Sequence, residues 1–424
     1  MTNARPASEE KLKILIVSQY FWPEDFRLNE LAEGLVERGH SVTVLTGLPN
    51  YPKGKIFPSH GFLGPWTETH NGVRILRAPL IPRGQNSKIG LVLNYFSFSF
   101  SACFIALLRV REKYDAVFVY QVSPVTVGFP GMLAGWKAKA PVFLWVLDLW
   151  PESLSASGMI NSSFANKVAG WLARMVYSGS DVILGTSKGF KESICRVAGK
   201  DREVKWFPQW EDLGKTSSDC DQGNIPTLPS GFKVMFTGNV GSSQDFETIV
   251  GAATLLKDRQ DIQFVIIGEG HKLAWVRQEV QNQGLSETFH CLGRFPSTLM
   301  PAFYEQADAL LVSLRDEPAF ALTVPAKLQS YLAAGKPIVS AVSGDVKQIV
   351  EESGAGVGVD AGSPQELASA IRQLADLNSE ERAEMGRRGR AYMEKTYNKD
   401  LLFDELIGWF HEEKHKRAAG RTTD

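Results

Sequence analysis

The sequence runs to 424 residues, too many for a single hydrophobic core and suited to two domains. Apolar residues make up 44% of it and charged residues 22%, which excludes wholesale disorder. A net charge of −1 hides an asymmetry: residues 1–210 carry 24 Lys and Arg against 16 Asp and Glu, the remainder 22 against 31. The basic first half suits an anionic membrane surface or an anionic ligand. No Lys/Arg block or basic recognition motif occurs, so no nucleic-acid partner is expected.

Four cysteines, Cys103, Cys195, Cys220 and Cys291, are scattered without a C-x-x-C pair. Neither a zinc site nor a disulfide framework is suggested, and a reducing cytoplasm fits. Glu9 and Glu10 precede the first apolar run, unlike the basic start of a signal peptide.

Leu12 to Val17 is an apolar run ending at Ser18-Gln19, the pattern of a parallel strand buried on both faces. Phe26 to Arg38 has a helical stripe, Gly39-His40 closes it, and Ser41 to Leu45 is the next strand. This βαβ opening predicts a doubly wound sheet with right-handed crossovers. Tyr51 to Pro65, rich in Pro and Gly, reads as a long loop. Ile89 to Leu108 carries no charge, and roughly 20 apolar residues would just span a bilayer. Asn94, Ser97, Ser99 and Ser101 interrupt it, and it lies between two strands. An amphipathic helix, partly buried and partly laid on the membrane interface, is preferred to an ordinary buried crossover helix.

Strands follow at Ala116 to Gln121, Pro141 to Leu147 and Asp181 to Gly185, and the first domain ends near Phe207. Cys220 to Ser230 reads as a connector. The pattern restarts with strands at Phe232, Ile262, Thr288, Ala309 and Pro337, each followed by a helical stretch. The last amphipathic run, Leu401 to His411, is placed to return to the first domain. The domains are therefore 1–207, with the C-terminal helix at about 400–424, and 208–399.

Ligands of open α/β sheets bind beyond the carboxyl ends of strands. There Thr237-Gly238-Asn239-Val240-Gly241-Ser242-Ser243-Gln244 links a strand to a helix, where unpaired N–H groups could hold a phosphate or simply turn the chain. The spacing is not G-x-G-x-x-G, which argues against a dehydrogenase. Gly268 and Arg294 also follow strands. Lys327, near a helix N-terminus, suits that position only if it meets an anion. In the first domain, Asp148 ends a strand beside aromatics, as a desolvated carboxylate or a helix N-cap. Glu24 and Arg27 lie after strand one. Trp22 and Trp150 could stack on a sugar ring or pack the core.

Three stretches, Ser18-Gln19-Tyr20-Phe21-Trp22-Pro23-Glu24-Asp25-Phe26-Arg27, Leu45 to Lys55, and Asp148-Leu149-Trp150-Pro151-Glu152-Ser153, resemble family 4 glycosyltransferases. The likeness is to the bacterial branch with N-acetyl-L-fucosamine transferases of O-antigen and capsule assembly. The resemblance implies a GT-B fold: two facing Rossmann-like α/β domains with a C-terminal helix returning to the first. It implies retaining transfer from a nucleotide sugar, UDP-linked, without a cofactor or metal ion. The acceptor it implies is a polyprenyl-diphosphate-linked saccharide, with the protein peripheral on the inner face of the cytoplasmic membrane. Donor contacts would come from Gly238, Asn239, Gly241, Gln244, Gly268, Arg294, Lys327 and Ser330, acceptor contacts from Trp22, Arg27 and Trp150, and chemistry from Asp148, Glu24 and Lys327.

The chain departs from the family's E-x7-E pair, whose positions hold Leu322 and Ser330, and from its glycine-loop Arg, here Asn239. Two other readings stand beside this one: a sugar-nucleotide epimerase, and a non-catalytic sugar-nucleotide-binding scaffold. Asp219-Cys220-Asp221 spells D-x-D but falls in the connector and is read as coincidence.

Overall fold

A computed structural model describes residues 10–61, 64–84, 87–156, 162–211 and 225–420. Asp219-Cys220-Asp221 lies outside the described residues. The chain divides into two compact units: Met1–Thr186 with Phe190–Phe207 and Phe403–Asp424, and Ser187–Gly189 with Pro208–Leu402.

In the first unit the elements are β1 Lys13–Val17, α1 Arg27–Glu37, β2 Ser41–Gly47, β3 Thr67–His70, β4 Val73–Ala78, α2 Lys88–Arg109, β5 Ala116–Gln121, α3 Gly128–Ala138, β6 Val142–Val146, α4 Glu152–Ala156, α5 Ser163–Gly179, β7 Val182–Gly185, α6 Phe190–Ala198 and β8 Val204–Trp206. They build a sheet of order β3-β4-β2-β1-β5-β6-β7-β8, parallel except for the β3–β4 pair. Leu15, Ile16, Val117 and Leu144 are wholly buried, as an unbroken apolar run with covered faces requires. The β3–β4 hairpin and β8 are not anticipated in the sequence reading. Asn71 (φ 45°) and Gly72 (φ 79°) make the hairpin's two-residue turn, both in the left-handed region that an Asn-Gly pair tolerates.

The second unit has β9 Phe232–Thr237, α7 Phe246–Leu255, β10 Ile262–Ile267, α8 Leu273–Asn282, β11 Phe289–Gly293, α9 Met300–Gln306, β12 Ala309–Ser313, α10 Pro318–Ala321, α11 Lys327–Ala334, β13 Ile338–Ala341, α12 Asp345–Ser353, β14 Gly356–Val359, α13 Pro364–Asp376 and α14 Ser379–Thr396. Its parallel sheet runs β11-β10-β9-β12-β13-β14. The last helix, α15 Lys399–Gly420, returns to the first unit. Phe410 meets Phe143 edge-on at 4.8 Å, and the Phe403 ring lies where a Cβ on Gly34 would stand, 2.4 Å away.

Helix α2 is built inside out. Its polar residues face the domain: Asn94 is fully buried, accepts from Gln19 at 2.6 Å and donates to the Ile81 carbonyl at 2.7 Å. Ser99 and Ser101 donate to the Thr126 and Pro79 carbonyls. Phe98 packs inward with them, while Ile89, Val92, Phe96, Phe100 and Phe104 point outward. The interruptions in the apolar run are thus the anchors of a crossover helix.

Candidate functional site

In the second unit, the loop from Gly238 to Gly241 leaves β9 and lies along Gly268 to Gly270, which leaves β10. Gly238 N–H donates to the Ile267 carbonyl and Val240 N–H to that of Glu269, both at 2.9 Å. A Cβ on Gly268 would come within 1.8 Å of the Gly238 oxygen, so the two loops interlock only because glycine stands there. Gly241 N–H donates to the Gln244 side chain at 3.1 Å, as does the Asn239 amide at 3.3 Å. Three N–H groups expected to be free are therefore spent on bracing the loop. A 3-10 turn, Ser242–Gln244, and a left-handed Asp245 (φ 48°) also separate the glycines from α7. The Gly238, Val240 and Gly241 N–H groups thus brace the loop instead of facing a ligand.

The cation supplies what the loop does not. Lys327 opens α11, and its Nζ is shut off from solvent with no hydrogen-bond partner. The nitrogen sits 3.7 Å from the centre of the Phe236 ring and 3.3 Å from where a Gly238 Cβ would be. Burial pushes its pKa down to about 7. An ammonium held over an aromatic face, beside a glycine without a side chain, lacks only an anion. Arg294 stands exposed just beyond β11, next to Gly293, whose carbonyl accepts from Gly268 N–H at 2.8 Å.

In the first unit, Glu24 is buried in the loop between β1 and α1 and accepts from three backbone amides: Asn50 at 2.8 Å, Tyr51 at 2.7 Å and Phe21 at 3.3 Å. Burial raises its pKa to about 7 against those donors. Both oxygens thus tie the loop after β1 to the loop after β2. Glu24 is a positioning residue. Asp148, at the end of β6, is only partly covered and is faced by the side chains of Ser153, Ser123 and Trp150. Burial pushes its carboxyl up to about 6 despite them. The helix that follows begins at Glu152, so Asp148 is not its N-cap. Trp22 stacks on His70 at 4.1 Å, and Trp150 is buried with its indole N–H on Ser123 at 3.3 Å. Both rings pack the protein itself. Arg27 is the first residue of α1 and its charge reaches Tyr120.

Residues 26–210 match the Glycosyl transferase 4-like domain, and residues 226–392 match Glycosyl transferases group 1. The chain is a group 1 glycosyltransferase. Its relative WcaI of Escherichia coli K12, named for colanic acid biosynthesis, is 25% identical over 93% of this chain and 99% of its own. Sucrose-phosphate synthase from Thermosynechococcus elongatus shares the fold with TM-score 0.72 at 17% identity, over 95% of this chain and 99% of that one. HepE from Anabaena, solved with UDP-glucose, superposes with TM-score 0.66 at 15% identity, over 95% and 100% of the two chains. The two Rossmann-like sheets are those of the GT-B fold.

This glycosyltransferase also carries two residues that reading its sequence misses. Ser330, one turn along α11 from Lys327, donates its hydroxyl to Glu211 in a short hydrogen bond. Glu211 also adds its charge near Tyr304, whose hydroxyl meets Thr237 at the end of β9. A carboxylate is therefore present at the position where the sequence has only serine. It arrives from 119 residues away, beyond the reach of any local motif. The other is Arg77, wholly buried on β4. It donates to Glu68 at 2.7 Å, to the Trp22 carbonyl at 2.5 Å and to that of Gly47 at 3.1 Å. It holds the loop that carries Trp22 and Glu24.

Proposed function

We propose that this enzyme transfers a sugar, N-acetyl-L-fucosamine, from a UDP-linked donor to a polyprenyl-diphosphate-linked saccharide during surface-polysaccharide assembly. The observation that carries the reading is the buried, unpartnered Lys327 ammonium beside Gly238 and over Phe236. A diphosphate is the anion that fits it. As the bond from the anomeric carbon to the β-phosphate oxygen breaks, the leaving charge grows beside Lys327, where a fixed cation in a dry site stabilises it most. The acceptor oxygen takes the same face of the sugar, and its proton goes to the leaving phosphate, with retention and without a metal ion. Relatives support the pathway class through the name of WcaI, and the donor class through HepE with UDP-glucose. The test is nucleotide release from UDP-, GDP- and dTDP-sugars, with and without a membrane lipid extract, in EDTA. Release from one UDP-sugar that needs the extract and survives EDTA is the expected result. Conversion of the donor without any acceptor would instead make it an epimerase.

Asp148, partly open to solvent, is assigned to orienting the acceptor hydroxyl. Asp148→Asn is expected to lower kcat about 10²-fold and to remove the acidic limb of the rate profile near pH 6. Its folded pKa lies above its ordinary 3.8, so its contribution to stability is present below pH 4 and lost as pH rises through 6. The Asn variant therefore gains stability relative to the native chain at neutral pH, and urea midpoints at pH 4 and 7.5 would read this. Full activity in this variant would remove Asp148 from the reaction.

Glu211, with Ser330, is assigned to the ribose hydroxyls of the donor. Glu211→Gln is expected to raise the donor KM about ten-fold with kcat nearly kept, the mark of binding lost equally in ground and transition states. An unchanged KM would leave the ribose to other groups.

A further inference from the structure

We propose that the outer faces of α2, α3 and α5 form one surface that seats the first unit on an anionic phospholipid bilayer. The crossovers β4 to β5, β5 to β6 and β6 to β7 all step the same way along the sheet, so right-handed connection puts all three helices on one side. On α2, Ile89, Val92, Phe96, Phe100, Phe104 and Leu107 recur at helical spacing, and Phe100 is 81% exposed. Trp136 on α3 is 75% exposed. On α5, Phe164 is 76% exposed and Trp171 59%, with Val168 and Met175 completing the stripe. A soluble surface does not leave so many aromatics uncovered without a partner.

Charge selects which partner. The three helices contain no Asp or Glu, and carry Arg109, Lys137, Lys167 and Arg174. A face of aromatics and bases without carboxylates matches a headgroup layer of negative charge over hydrocarbon. Pairing two copies through it would bring like charges together. The helix lies on the bilayer and does not cross it. Asn94, Ser99 and Ser101 bind it to Gln19, Ile81, Thr126 and Pro79, so leaving the sheet would break all of these bonds.

The surface does not depend on the donor or acceptor chemistry, and the test separates the two. The full chain is sedimented with vesicles of phosphatidylcholine containing about 30% phosphatidylglycerol, and with phosphatidylcholine alone. Binding to the anionic vesicles, weakened in about 0.5 M NaCl, is expected. Phe100→Ser with Phe104→Ser, and separately Trp136→Ser with Trp171→Ser, should each lower the bound fraction at least about ten-fold. Both pairs should keep the native melting temperature and the native affinity for UDP, which shows that the fold and the donor site are intact. Absence of binding to the anionic vesicles overturns the proposal, as does native binding by both variants. A two-chain mass in solution that the same substitutions return to one, without vesicle binding, would assign the face to a second copy and also overturn it. Vesicle binding by a chain that turns over no donor would sink the transferase reading and leave this one standing.

Discussion

Lys327→Met is expected to cut transfer about 10³-fold while making the free enzyme more stable. The two effects have one cause. In the free protein the Nζ is buried without an acceptor, and burial has lowered its pKa from 10.5 to about 7. A base whose folded pKa lies below its unfolded value penalises folding most below pH 7. The penalty fades as pH rises from 7 to 10.5. Methionine has similar reach and no charge to bury, so near pH 7 the gain is on the order of 2–4 kcal/mol. With a diphosphate in place the sign reverses, because the anion favours the protonated amine. Donor or UDP binding at pH 8 should then take up a proton. Calorimetry in two buffers of different ionisation enthalpy would read this directly. A variant that kept native turnover, or binding without proton uptake, would sink the assignment of Lys327 to the diphosphate.

Arg77→Met is expected to cost about 3–5 kcal/mol of stability, the magnitude for breaking a buried ion pair from one side. The loss exceeds the pair itself. Glu68 keeps its charge without the guanidinium, and the Trp22 and Gly47 carbonyls lose their donor inside the domain. Lysine cannot replace the fork that reaches all three acceptors, so Arg77→Lys should recover little. Adding Glu68→Gln to Arg77→Met should restore part of the loss, since it removes the stranded charge. Urea unfolding of the native chain, Arg77→Met, Glu68→Gln and the double variant gives the cycle. If Arg77→Met unfolded at the native urea concentration, the network would not hold the loop.

The parallel strands were legible in the sequence because being covered on both faces forces an unbroken apolar run, as in Leu12 to Val17 and Val142 to Leu147. The hairpin was not read: Asn71-Gly72 marks its turn, but its strand Thr67–His70 is an edge strand of polar residues without an apolar stripe. Lys327 could be suspected from its place at a helix start. The bracing of the glycine loop could not, because its acceptors, the Ile267 and Glu269 carbonyls, belong to another strand and its turn. Glu211 and Arg77 have partners that only the folded chain brings near. Helix α2 was legible as a partly buried amphipathic helix, but periodicity finds its apolar stripe without saying which way that stripe faces.

The place of α15 has a consequence for how the protein is made. The slot that Phe410 fills against Phe118 and Phe143 is formed by strands that leave the ribosome long before the helix that closes it. At about 5–20 residues per second, the roughly 200 residues between β8 and Phe410 take on the order of 10–40 s to synthesise. For that interval the nascent first unit exposes aromatic core on the α1 side, an obvious place for a chaperone to wait.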